Sequence, residues 1–422
     1  MITILEQPLF GQRVRELRTA RGLSQAALAE PGMSTSYLSR LESGARPPTA
    51  KVVAYLAERL EVPRSAFDNG SSSAVTQLLA RGISAADGRG GGEDILDLLN
   101  DAVEVGTEVD TALHWQMLWM LTMSFSPGTD TAHQEQTLTR LVRLSDEIGL
   151  PELQVRSRVK LARFQRLSGS PELGSGVAEE AVALAREPGV DAGDLGRALL
   201  TAVSAEAESG RLTLAREHVD ELCSLIEAHA ELPPSLAAEA RWSAASVRVR
   251  QGEYEAARDH LEAAMRNLDS HDDLLLWTRL RIAAASLYLQ MTPRLTDRAA
   301  AALAEAEVPI GLIGTPLHEQ EFHVVTAQLA FYQGDFERAE ELCVKLASEP
   351  SLLSYRDGVR LEMLRIRLRF QAGAVREAVN EMTALATRLQ DSSNTDLTAE
   401  AWRNLAEALT AAAEQSTLPQ AR

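Results

Sequence analysis

Five glycines, Gly169, Gly210, Gly252, Gly334 and Gly373, punctuate the chain at gaps of 41, 42, 82 and 39 residues. Each sits between two helix-like stretches, in RLSGSPELGSGVAEEA, ESGRLTLAREH, RQGEYEAARDHLEAA, YQGDFERAEEL and QAGAVREAVNE. The double gap holds a divergent copy, LYLQMTPRLTDRAAAALAEA, with Thr292 near the expected glycine. A recurring period of this length leaves few folds open. One helix pair cannot bury its apolar face alone, so successive pairs must stack into a superhelix with a concave inner surface. The spacing predicts six such pairs, with further helices ahead of Gly169.

Composition agrees with an all-α chain. Ala, Leu, Glu and Arg dominate, and Pro occurs 16 times in 422 residues. There is no apolar run of the ~18 residues that a spanning helix needs, and MITILEQPLFGQRVREL lacks a basic segment followed by a long apolar one. A soluble, cytoplasmic protein without a membrane partner is expected. Cys223 and Cys343 lie far apart in apolar helical patterns and read as reduced core thiols rather than metal ligands. Between Asp68 and Glu93 the stretches NGSSS and DGRGGG flank a short helix, Ala74–Arg81, and read as a flexible linker. Three segments follow: 1–68, the linker 69–92, and a repeat domain over 93–415.

A formal charge of −18 argues against nucleic-acid binding only if it is spread evenly. It is not: residues 1–70 hold nine Lys and Arg against seven Asp and Glu. That segment also has the punctuation of a compact helical unit. Helices are predicted at Phe10–Arg21, Gln25–Glu30, Thr35–Glu42 and Ala50–Leu60, with a last turn from Pro63. Gly22 and Gly44 close the first and third, Ser24 and Ser34 cap the second and third, and Pro31-Gly32 breaks the chain between them. The third helix opens on Ser, Thr, Ser and Tyr, small donors and acceptors suited to base edges, at the positive end of its dipole.

The series RELRTARGLSQAALAE, SYLSRLESG and PP, within residues 10–67, resembles the Cro/repressor-type helix-turn-helix of the XRE family. The resemblance implies that Gln25 contacts a phosphate, that Ser34, Thr35 and Ser36 open the recognition helix with Thr35 and Ser36 at base edges, that Tyr37 and Arg40 reach backbone or flanking bases, and that Arg46 holds a phosphate. It also implies a structural salt bridge between Arg18 and Glu42. The turn EPGMS is one residue shorter than the family's, with Pro31 at an apolar position, so the second helix should stop early. A net charge of +2 holds few phosphates, so two copies on a pseudo-palindromic duplex, about 34 Å apart, are expected.

In the repeat region GEYEAA and GDFERA resemble the tetratricopeptide repeat, although the period exceeds the usual one. The resemblance implies that the helix before each glycine lines the concave face. Those six helices carry fifteen Lys and Arg against six Asp and Glu in an otherwise acidic region. Inward offsets select Arg156, Arg163, Arg166, Arg197, Trp242, Arg279, Gln328, Tyr332, Arg360 and Arg367 as candidates to bind a peptide or small anionic effector. The alternative is that the arginines pair with acidic second helices and solvate the array.

Enzyme signatures are lacking. The histidines of HEQEFH at 318–323 are five apart and miss a common helix face, and no phosphate-cradling loop precedes Lys-Ser or Lys-Thr. No catalytic residue, cofactor or metal is expected, and the stripe Trp115, Trp119 reads as core or a dimer seam. The expected function is a homodimeric, DNA-binding transcription regulator whose repeats sense an effector, an architecture similar to the peptide-responsive regulators of bacterial quorum sensing. The competing expectation is an interaction scaffold or phage-type repressor whose repeats hold a partner protein.

Overall fold

A computed structural model describes residues 7–62, 64–67, 111–123, 125, 130–391 and 395–417, and all regular structure among them is helical. The linker, its helix at 74–81 and the boundary at 93 lie outside the described residues. The chain divides into two compact units, 1–148 and 149–422.

In the first unit α1 (Leu9–Ala20), α2 (Gln25–Ala29), α3 (Thr35–Glu42) and α4 (Ala50–Arg59) are followed by a 3₁₀ turn, Arg64–Phe67. Ser24, Ser34 and Thr49 accept from the backbone N–H of Ala27, Tyr37 and Val52, so each of α2, α3 and α4 starts on a side-chain cap. Helix α2 ends at Ala29, as the shortened turn requires. Phe10, Val14, Leu28, Leu38, Leu41, Leu56, Leu60 and Phe67 form the core, with the Phe10 and Phe67 rings 5.5 Å apart. The unit also holds α5 (Thr111–Met123) and α6 (Thr131–Ile148), which pack on each other. Trp115 is buried there and stacks on Trp119 at 5.1 Å, a core position.

The second unit is a row of helix pairs: α7 (Pro151–Leu167) with α8 (Pro171–Ala185), α9 (Ala192–Glu208) with α10 (Leu212–Ala228), α11 (Pro234–Arg250) with α12 (Tyr254–Asn267), α13 (Leu274–Gln290) with α14 (Thr296–Ile313), α15 (Pro316–Gln333) with α16 (Phe336–Ala347), and α17 (Tyr355–Gln371) with α18 (Val375–Asp391). A further helix, α19 (Thr395–Thr417), ends the described row. Each odd-numbered helix also packs on the next odd-numbered one, and the even-numbered helices do not do so to a comparable extent among the described residues. The odd helices are therefore an inner layer, covered by the even ones.

Burial follows from that layering. Helix α13 buries residues all around its circumference, among them Leu276, Leu280, Ile282, Leu287 and Tyr288, as a helix sandwiched by neighbours must. Its outer partner α14 buries a single stripe, Ala299, Ala302, Leu303, Ala306 and Ile310. The periodic glycines all adopt positive φ, between 80° and 92°. In each case the residue after the glycine donates its N–H five residues back, as Asp335 does to Ala330 O at 2.9 Å, which closes the inner helix and turns the chain outward. In the divergent copy Met291 leaves α13 with extended backbone instead, so no glycine is needed there.

Candidate DNA-binding helix and inner repeat face

Helix α3 is anchored by one face and open on the other. Leu38, Leu41 and Glu42 are buried, whereas Thr35, Ser36, Ser39, Arg40 and Ser43 are exposed. The anchor is an ion pair: Arg18 Nε lies 2.6 Å from Glu42 Oε1 and its terminal nitrogen 3.1 Å from Oε2, while another donates to Leu23 O at 2.7 Å. This hydrogen bond to Glu42 raises the Arg18 pKa further above its ordinary value. The pair ties α1 to α3 and to the loop before α2, the structural role its counterpart implied.

Each expected contact residue has a definite place. Thr35 and Ser36 project into solvent at the first turn of α3, and Arg40 is exposed one turn further on. Ser34 Oγ accepts from Tyr37 N at 3.2 Å, so Ser34 is first a cap. The half-buried Tyr37 ring lies under the Arg46 guanidinium, 4.4 Å from its centroid, which sets Arg46 beside the exposed face of α3. Gln25, at the start of α2, donates its amide to Glu42 Oε2 at 2.8 Å and is a third member of the anchor.

Three contributors escaped sequence reasoning. Ser39, one helical turn from Thr35, shares its exposed face, which the spacing could have shown. Gln7 donates to Leu41 O at 3.0 Å and to Arg46 O at 2.6 Å and accepts from Gly11 N, holding the loop that carries Arg46. Tyr55 donates to Ala29 O at 2.9 Å and accepts from Gly32 N at 3.1 Å, bracing the turn between α2 and α3.

On the inner face of the repeat body most candidate arginines already hold groups of the same chain. Arg156 donates to both oxygens of the buried Asp194 at 3.0 Å, and Arg197 approaches the same carboxylate at 3.6 Å. Arg166 pairs with Glu208. Arg360 lies 3.3 Å from Glu400, and Arg367 donates to Tyr332 Oη at 2.9 Å and Asn404 Oδ1 at 2.7 Å. The partners sit on inner helices rather than on the acidic second helices, and Arg156 and Arg197 stay about half exposed. Arg163, on α7, is exposed, Arg279 lies 5.7 Å from the Trp242 ring centroid, and Gln328 is half-buried. Among the described residues neither Arg163 nor Arg279 has a carboxylate within ion-pair distance. Burial, aided by Asp357 and opposed by Arg279, lifts the nearby Glu321 carboxyl to about 7.

His318 serves the local fold: it caps α15 with Thr315, each side chain meeting the other's backbone N–H. Burial pushes the Cys223 and Cys343 thiols up to about 11, and no group of metal-ligating side chains occurs among the described residues. No helix among them is long and apolar enough to cross a membrane.

Comparisons with known proteins bear on the N-terminal domain in sequence and on the fold of the chain in structure. A family described as a helix-turn-helix domain matches residues 9–69. The HTH-type transcriptional regulator PrpR of Mycobacterium tuberculosis (strain ATCC 25618 / H37Rv) is 42% identical over 64 residues, which cover 15% of this chain and 13% of PrpR. A Rap protein complexed with Competence and Sporulation Factor is 12% identical with a TM-score of 0.51, over 97% of this chain and 100% of that one. The apo form of RapI is 12% identical with a TM-score of 0.49, over 96% and 99%. The chain thus carries an N-terminal helix-turn-helix domain and a body of tetratricopeptide-like helix pairs.

Proposed function

We propose that the chain is a sequence-specific, DNA-binding transcription regulator that acts as a homodimer, and that its repeat body binds a peptide or small anionic effector which modulates DNA affinity. One observation carries the first part: Thr35, Ser36, Ser39 and Arg40 share the open face of α3, with Arg46 held beside it. Thr35, Ser36 and Ser39 read base edges, and Arg40 and Arg46 meet phosphates. Arg18, Glu42 and Gln25 act through the fold by fixing the tilt of α3.

Few cations flank that face, so one domain binds weakly and a pair is needed to hold a duplex at physiological salt. Support for an effector comes from the repeat architecture and, by analogy of fold, from the Rap structure complexed with Competence and Sporulation Factor. Arg163, Trp242 and Arg279 are the first residues to vary in seeking it. A ligand shifts DNA affinity only through a difference in its own affinity for two arrangements of the dimer.

The test is selection of duplexes from a random library by the full chain and by a Thr35→Ala, Ser36→Ala variant. A shared motif for the native protein that degrades in the variant supports the reading. Indistinguishable enrichment by both removes it.

A further inference from the structure

The ion pairs of the repeat body mostly join neighbouring helices, but three polar contacts reach further. Arg250, at the end of α11, donates from Nε to Asp396 Oδ2 of α19 at 2.8 Å. Arg294, just after α13, reaches both oxygens of Glu407 on α19 at 2.8 and 2.9 Å. Arg360 of α17 donates to Gln290 Oε1 of α13 at 2.7 Å. The solenoid curls until α19 meets the ends of the third and fourth inner helices.

Helix α19 makes the first two of these contacts from one stripe, Asp396, Glu400, Asn404 and Glu407, spaced by a turn. Across the stripe stand Arg250, Arg294, Arg356, Arg360 and Arg367. Arg250 and Arg356 share Asp396, and Arg294 and Arg367 share Glu407, so guanidinium groups outnumber the carboxylates that α19 offers. Arg294 Nε is buried with no acceptor among the described residues. Asp357 of α17 lies 3.7 Å from Arg360 and adds a fourth carboxylate, so five guanidinium groups face four acids. The second face of α19, Leu397, Ala401 and Leu405, is buried in an apolar cluster with Val359, Met363 and Leu385.

We propose that this surface is a docking site for an acidic helical peptide segment, and that α19 is its resident occupant, a competitor in cis that an incoming segment displaces. The inference rests on the reading of the repeat body as the effector-binding half, and it assigns the effector's class: a helix with carboxylates along one face, able to satisfy the guanidinium groups that α19 leaves under-compensated. Release of α19 is local, because opening one peripheral helix requires less free energy than unfolding the array.

Hydrogen exchange on the full chain, without DNA, tests this apart from the DNA-binding reading. The probe is a synthetic peptide of residues 395–417, and the control peptide has Asn, Gln and Gln at 396, 400 and 407. Added to the native chain, the acidic peptide should speed exchange across 395–410 by about tenfold and leave α7–α10 unchanged, while the control does nothing. An Asp396→Asn, Glu400→Gln, Glu407→Gln chain should show the fast exchange alone and bind the acidic peptide about tenfold more tightly than the native chain. Peptide binding should vanish in Arg250→Ala, Arg294→Ala chains that keep the native exchange pattern in α7–α10. Exchange in the native chain that ignores the acidic peptide, or responds equally to the control, overturns the proposal even if the substituted chains fail to fold.

Discussion

Arg18 and Glu42 meet 2.6 Å apart at the base of the exposed helix, with side chains only 14% and 4% exposed. Gln25 adds a third contact at 2.8 Å, so one carboxylate ties together three of the first four elements. Glu42→Ala leaves a largely buried guanidinium without its partner and should destabilise this domain by about 3–5 kcal/mol, against a smaller loss for Gln25→Ala. Urea unfolding followed by a probe in the N-terminal domain checks this, and a midpoint unchanged in Glu42→Ala contradicts it.

Gly11 lets α1 approach the backbone at the end of α3 closely. A Cβ there would lie 2.2 Å from Leu41 O, and backbone cannot yield as a flexible side chain does. Gly11→Ala should lower stability by about 1–3 kcal/mol and shift the helix that carries Thr35 and Ser36. The same denaturation assay, paired with duplex binding, should show both losses together.

Phosphate and base contacts are separable by salt. Arg46→Ala should weaken binding to every duplex by a similar factor and flatten the slope of affinity against salt by about 1 per domain. Ser36→Ala should leave the slope alone and cost about 1–3 kcal/mol against the preferred sequence. Fluorescence anisotropy across a salt series distinguishes the two. Equal slopes for Arg46→Ala and the native chain would take Arg46 off the interface.

His218 lies against the fully buried Glu206 in the repeat body, with Nδ1 2.8 Å from Oε1. The hydrogen bond to Glu206 outweighs burial and raises the His218 pKa. A raised folded value means the protonated histidine adds stability that is complete below the ordinary histidine pKa of about 6.5 and is lost as pH rises through the folded value. Unfolding midpoints of the repeat body should fall between mildly acidic and mildly alkaline pH, and His218→Gln should remove that part of the slope. A native slope that persists in the variant assigns it elsewhere.

Local chemistry made much of this architecture legible in the sequence. Gly169, Gly210, Gly252, Gly334 and Gly373 mark turns because positive φ is cheap only for glycine, and Ser24 and Ser34 mark helix starts because short hydroxyls cap. The Arg18–Glu42 pair and the exposure of Thr35 and Ser36 followed from a resemblance carried at matching positions. The partners of the inner arginines were not legible. Arg250 meets Asp396 across 146 residues, and helical periodicity fixes which face a residue occupies but not which distant carboxylate the superhelix brings to it. Gly11, Gln7 and Tyr55 escaped for a similar reason: each acts through a backbone approach between elements, which no local pattern encodes.

Paired reading of one duplex by two copies of α3, through Thr35 and Ser36, is what the proposed function requires. Hydroxyl-radical footprinting of the native chain on its preferred duplex tests it most directly. Two protected stretches related by a two-fold axis and centred about one helical turn, ~34 Å, apart are predicted, both fading in the Thr35→Ala, Ser36→Ala chain. A single unpaired stretch, or protection that the double variant retains in full, contradicts paired reading by α3.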